Sequence, residues 1–146
     1  MSNIFLYNLP ILPNGFAFPK SYVDTVKNNN IIHIEPWSFL CQDIGMSLSY
    51  YGSMLIKYTN HPLIPFAIAN DQSGFFNDGY IILACFDGND TSGDPKVYFH
   101  DYGYNGEEPS WENRYHLDNF LTWFELAKAE SAQYKAERSE LDLVKY

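Results

Sequence analysis

The sequence predicts a mixed fold in which helices pack on a central β-sheet, and three observations carry that reading. Three segments rich in Ile, Val, Phe and Tyr, at 63–69, 80–86 and 96–102, are divided by Asp, Asn, Gly and Ser, which is the pattern of strands separated by turns. Ahead of them, Ile44, Leu48, Tyr51, Leu55 and Tyr58 recur at spacings of four, three, four and three, which places them on one face of a helix. Behind them, Leu117, Phe120, Leu121 and Phe124 share a second helical stripe that docks on the sheet, with Asp118 placed to cap it.

Each element has a local reason. The opening "MSNIFLYNLPILPNG" has no basic flank, and Pro10 and Pro13 interrupt its apolar residues, so it is expected to be neither a signal peptide nor a membrane span. Pro19 presets the φ of a first helical turn, and "PKSYVDTVKN" reads as a short helix stopped by the Asn cluster at 28–30. "NIIHIEPW" alternates Ile32 and Ile34 and is closed by Pro36, so it reads as an extended piece. Gly45 and Gly52 weaken the central helix, and Pro62 marks its end.

In the first strand Ile64, Phe66 and Ile68 alternate with Pro65, Ala67 and Ala69, which sends the larger set to the core. The polar knot after it, with Asn70, Asp71 and Gly74, is read as a turn whose side chains satisfy backbone amides. "NDG" at 77–79 reads as a hairpin turn or bulge, and 87–95 and 103–113 read as exposed loops. Beyond Ala127, good helix formers of mixed charge continue the last helix. With no internal repeat and no linker, positions 1–146 form one expected domain.

Composition narrows the function classes. With 46% hydrophobic and 18% aromatic residues the chain is expected to fold, because disordered chains are poor in aromatics. The two cysteines, Cys41 and Cys85, show no metal spacing and no framework, so they read as reduced, buried thiols in a cytoplasmic protein. The net charge of −9 is local: positions 71–118 hold ten acids against Lys96 and Arg114, which accounts for −8 of it. Nucleic acid is disfavoured as a ligand, since phosphate binding needs clustered Lys and Arg. A basic partner, or simply a solvated acidic face, fits the charge instead.

Counted from Asp87, the loop 87–95 has Ser92 where an EF-hand needs Gly and Tyr98 where it needs Glu, so it reads as a connection between strands. His33, His61, His100 and His116 have no i,i+4 pairing and no neighbouring Cys, which gives no metal site and no cofactor. Ser73 lacks the Gly two places earlier that a nucleophile elbow requires. Asp101, Glu107, Glu108 and Trp111 are the residue types of a glycosidase, and a carbohydrate-active enzyme using Asp101 and Glu108 is one alternative. No catalytic residue is otherwise assigned.

The succession "FPKSYVDTV", "LIPFAIANDQSGFF", "GYIILACFDG", "PKVYFHDYGY" and "HLDNFLTWFELA" resembles the SUKH superfamily of yeast cell-wall assembly regulators and bacterial immunity proteins. The resemblance covers about 19–127, with 128–146 as a helical extension, and its sharpest piece is the "IPFA" strand with its polar turn. The family's Asp after a hydrophobic strand matches Asp87, and its Phe-rich closing helix matches Asp118 through Phe124. The Gly that often ends the first helix is missing, and the "FNDG" turn and long final helix depart from the family pattern. The resemblance implies an α+β domain with a curved antiparallel sheet flanked by helices on one side.

It also implies a non-enzymatic protein that neutralises a cognate toxin, in some relatives a nuclease, by direct binding. A regulatory interaction module of the cell-wall assembly type is the other alternative. On the immunity reading, a basic toxin domain is the expected partner, with neither nucleic acid nor membrane engaged. The expected partner-binding residues are Asp87, Asp90, Asp94, Tyr102, Tyr104, Glu107, Glu108 and Trp111, with carboxylates steering and aromatics anchoring.

Overall fold

The structure is a computed structural model that describes residues 4–6, 11–28 and 33–144. The described residues form α1 (Lys20–Lys27), β1 (Trp37–Phe39), α2 (Ile44–Lys57), β2 (Leu63–Ala69), β3 (Ile82–Asp87), β4 (Val97–Asp101), β5 (His116–Leu117) and α3 (Phe120–Val144). The strands lie in chain order in a five-stranded antiparallel sheet. The fold is therefore α+β. α1 starts after Pro19, whose φ of −65° already suits a helix, and stops at the extended Asn28. Asn29, Asn30 and Ile32 of the sequence-based reading lie outside the described residues.

The sheet is covered on both faces. Ala84, Phe86 and Val97 pack with Tyr22 and Val26 of α1 and with Phe120, Trp123 and Ala127 of α3, which supply the expected helical flank. Leu83, Cys85 and Tyr98 pack on the other face with Met54 of α2 and Tyr58 just after it, so α2 adds cover there. All seven residues of β2 are buried. A strand with two apolar environments reads as a near-continuous hydrophobic run, and "LIPFAIA" is one.

A bulge corrects the strict alternation read along β2. Pro65 pairs with Cys85 and Ala67 with Ala84, so Phe66 has no residue of its own opposite it. Ile64 and Phe66 consequently reach the α1 and α3 side, while Ile68 switches to the α2 side with Leu63. The stripe read along α2 also turns. Ser47, Tyr51 and Met54 are the buried residues of the helix, whereas Ile44, Leu48 and Leu55 are exposed at 53%, 43% and 41%. In α3 the buried line is Phe120, Trp123, Ala127 and Tyr134, and Leu121 points outward. Its cap is Asn119, whose Oδ1 accepts the Thr122 N–H at 2.9 Å, in place of Asp118.

The polar knot after β2 is a turn and an anchor. Asp71 Oδ1 accepts the Ser73 N–H at 3.1 Å, the Ser73 hydroxyl at 2.6 Å and the Tyr134 hydroxyl at 2.9 Å, while Oδ2 accepts the Phe76 N–H at 2.8 Å. Burial works to raise its pKa, but these donors outweigh burial and hold the carboxyl below the ordinary 3.8. Through Tyr134 the turn ties down the distal half of α3.

The centre of the larger cluster is aromatic. Phe66 stacks on Phe86 with centroids 4.1 Å apart and meets Trp123 edge-on at 4.9 Å. Phe66→Ala is expected to cost about 3–5 kcal/mol, because the ring is fully enclosed and its neighbours cannot collapse into the space. A urea titration checks this, and a loss well under that range would contradict the packing.

Candidate partner-binding face

The face is built where the end of α2, the β3–β4 loop and the β4–β5 loop meet. The Gly88 N–H donates to the Pro62 carbonyl at 2.8 Å, and a Cβ at Gly88 would lie 2.5 Å from that oxygen, so a glycine lets the two connections touch. Beside this contact the buried Asp87 accepts the Asn89 N–H at 2.9 Å and hydrogen-bonds His61 Nε2 at 2.8 Å, both through Oδ1. The His61 ring stacks on Trp111 with centroids 3.6 Å apart, and the Arg114 guanidinium sits 4.1 Å from the Trp111 ring centre. Arg114 donates to Glu108 Oε2 at 3.3 Å and to the Pro109 carbonyl at 3.0 Å.

Tyr58 links this group to the sheet. Its hydroxyl donates to Glu108 Oε1 at 3.0 Å, and because it has one proton it accepts from His100 Nδ1–H at 2.8 Å. Burial, reinforced by Glu108, pushes the Tyr58 pKa upward. His100 in turn meets Tyr102 edge-on at 4.7 Å. A cleft of about 370 Å³ opens over the arrangement between Lys57, His61, Trp111 and Arg114.

The eight residues singled out from sequence divide into kinds. Asp87, Tyr102, Glu108 and Trp111 join one contiguous cluster through His61, Tyr58 and His100. Asp90 lies on the β3–β4 loop, where its carboxylate accepts the Ser92 and Lys96 N–H groups, each at 3.1 Å, and is 12% exposed. Asp94 is exposed and takes a hydrogen bond from Asn119 at 3.0 Å. Tyr104 and Glu107 are exposed neighbours, the Tyr104 hydroxyl donating to the Glu107 carbonyl at 2.6 Å.

A repeated device explains this division. Asp71, Asp87, Asp90 and Asp101 each accept the N–H two residues ahead, at 3.1, 2.9, 3.1 and 2.8 Å. These are Asx turns, in which the carboxylate replaces a backbone partner. Asp94 and Glu107 are therefore better placed for direct contact than Asp87 and Asp90, whose carboxylates shape their loop.

Sequence reasoning missed Tyr58, His61, His100 and Arg114 as members of the cluster. Their positions are scattered along the chain, and no spacing rule connects them. The Asx turns did carry a signal, since Asp with Ser, Asn or Gly two places on recurs at all four sites. Among the described residues no group of three or more His, Cys, Asp and Glu side chains is placed to hold a metal ion, and no helix is long and apolar enough to cross a membrane.

His100 supplies a pH test. Burial foremost, then the Lys57 charge, lowers its pKa below 6.5 against the opposing pull of Glu108 and Asp101. The unfolded chain then takes up the proton first, so this contribution is complete above about pH 6.5 and is lost as the pH falls toward the folded value. The urea midpoint should drop between pH 7.5 and 5.5, and His100→Gln should reduce that drop. An equal drop in both proteins would remove His100 as its source.

Compared with known proteins, the chain matches no family model, no curated protein and no solved structure.

Proposed function

We propose that this chain is a non-enzymatic, cytoplasmic immunity protein that binds and blocks a basic toxin domain. The observation that supports it best is the state of the charges at 71–118. Both bases of that span are engaged: Lys96 Nζ lies 3.6 Å from Asp90, and Arg114 is held by Glu108 and the Pro109 carbonyl. They leave the exposed Asp94, Glu107 and Glu112 without a neutralising cation within the span. Exposed Tyr102 and Tyr104, at 43% and 53%, stand near these acids in the chain as aromatic anchors.

A toxin that acts on nucleic acid must present a basic surface, and an acidic counterpart competes for that surface. The resemblance to the SUKH superfamily favours the same reading. It rests on binding alone and assigns no reaction to the cluster of His61, Asp87 and Tyr58.

Its test is association with a basic nuclease toxin domain encoded beside the chain's gene. Reversing the exposed acids with Asp94→Lys and Glu107→Lys should slow association roughly tenfold at low salt and leave the unfolding midpoint nearly unchanged. Stopped-flow rates across a salt series measure this. A rate that ignores both the reversal and the salt would refute the acidic surface as the point of encounter.

A further inference from the structure

β5 pairs with Val97 and Tyr98 and ends, so among the described residues no strand lies beside the edge of β4 from Phe99 to Asp101. The direction of the backbone groups along that edge follows from the β3–β4 ladder. The Asp87 N–H donates to the Lys96 carbonyl and the Tyr102 N–H to the Ile81 carbonyl, each at 2.9 Å. Lys96, Tyr98, His100 and Tyr102 thus turn their backbone groups toward β3, and by the two-residue period Phe99 and Asp101 turn theirs away from it. The Asp101 carbonyl takes the Tyr104 N–H at 3.1 Å, while the Phe99 carbonyl and the Asp101 N–H are directed outward.

Two pockets straddle this edge. One, of about 180 Å³, lies on the α2 side among His100, Tyr104, Glu108 and Arg114. The other, of about 330 Å³, lies on the α3 side among Trp37, Phe76, Leu126 and Glu130. Phe99, Asp101 and Tyr115 line both. An open strand edge with a pocket above and below it is the geometry that receives an added strand, because successive side chains of an extended peptide point to opposite faces.

We propose that the edge at 99–101 binds an extended segment of the partner by strand addition. The segment's backbone pairs with Phe99 and Asp101, and its neighbouring side chains enter the two pockets. The chemistry of the pockets selects the segment. The α3-side pocket is walled by Trp37, Phe76, Ile82 and Leu126 but also carries Glu130 and Asp101, whose side chain shares the face of Ile82 and Phe99, so it takes a lysine or arginine with its stem along the apolar wall. In the α2-side pocket Glu108 is already paired with Arg114 at 3.3 Å and with Lys57 at 3.9 Å, so that pocket takes an apolar side chain beside Tyr104 and Pro109. A segment that alternates basic and apolar residues satisfies both. This inference rests on the reading of the chain as a binder of a basic protein and names how the partner is held.

The test titrates the isotopically labelled protein with a synthetic capped hexapeptide alternating lysine and valine. The control has the same composition written as three lysines followed by three valines. Amide shifts should move at Phe99, Asp101 and Tyr115, and the control should bind at least about tenfold more weakly. N-methylation of every second peptide amide should abolish binding in one register and spare it in the other, because alternate amides face β4. Equal binding by the control, indifference to N-methylation in both registers, shifts confined to Asp94 and Glu107, or no binding up to about 5 mM would each overturn strand addition. The toxin titration separates the two readings. Salt-sensitive toxin binding with a silent 99–101 edge retires strand addition alone, and absent toxin binding with an engaged edge retires immunity alone.

Discussion

The double burial of β2 governs the rest of the molecule. None of its seven residues faces water, so the sheet needs an apolar cover on each side. One cover is the aromatic block of α1 and α3. The other cannot be completed by α2 alone, because Ser47, Tyr51 and Met54 are the residues it buries. Trp111, carried by the β4–β5 loop, packs against the smaller cluster that contains Leu83, Cys85 and Tyr98 and extends that cover. A loop with the composition of a solvated connection is therefore fixed by the core. Groups held in place before binding lose less conformational freedom on association than groups on a free loop.

The strands were legible because their β-branched and aromatic runs are bounded by turn residues, and each of the three expected segments contains an observed strand core. What the sequence concealed was orientation. Ile44, Leu48, Tyr51, Leu55 and Tyr58 make a continuous stripe on paper, yet the helix is rotated so that Ser47 and Met54 are buried with Tyr51, and it packs on β2. The bulge at Phe66 was hidden for a related reason, since a period of two has no place for an unpaired residue. Asp118 and Asn119 are both good caps, and only the backbone path decides between them. β1, which follows Pro36 directly and is three residues long, is too short for any period to show.

The candidate face was legible by residue type but not by partnership. Trp111 and Glu108 were found as an aromatic and an acid, while the residues that orient them, His61, Arg114 and Tyr58, lie in other segments and have no pattern among themselves. The acidic middle also overstated its free charge. Four of its aspartates build Asx turns, so part of its acidity is an architectural requirement of a chain that turns often between strands.

Turn building does not remove those aspartates from the electrostatics. Burial works against ionisation at Asp71 and Asp90, yet the hydrogen bonds they accept hold both carboxyls below their ordinary pKa, so they stay charged across the neutral range. A fixed charge acts on an approaching partner within about a Debye length, roughly 8–10 Å at physiological salt, whether or not its oxygens are open to contact. Contact needs exposure and steering does not. On the proposed reading the structural aspartates would help set how fast a basic partner arrives, while the exposed Asp94 and Glu107 are the acids open to contact. The acids that turn the chain and those open to contact would then act on a partner through one negative field, so building turns with Asp71 and Asp90 does not cost the domain their charge.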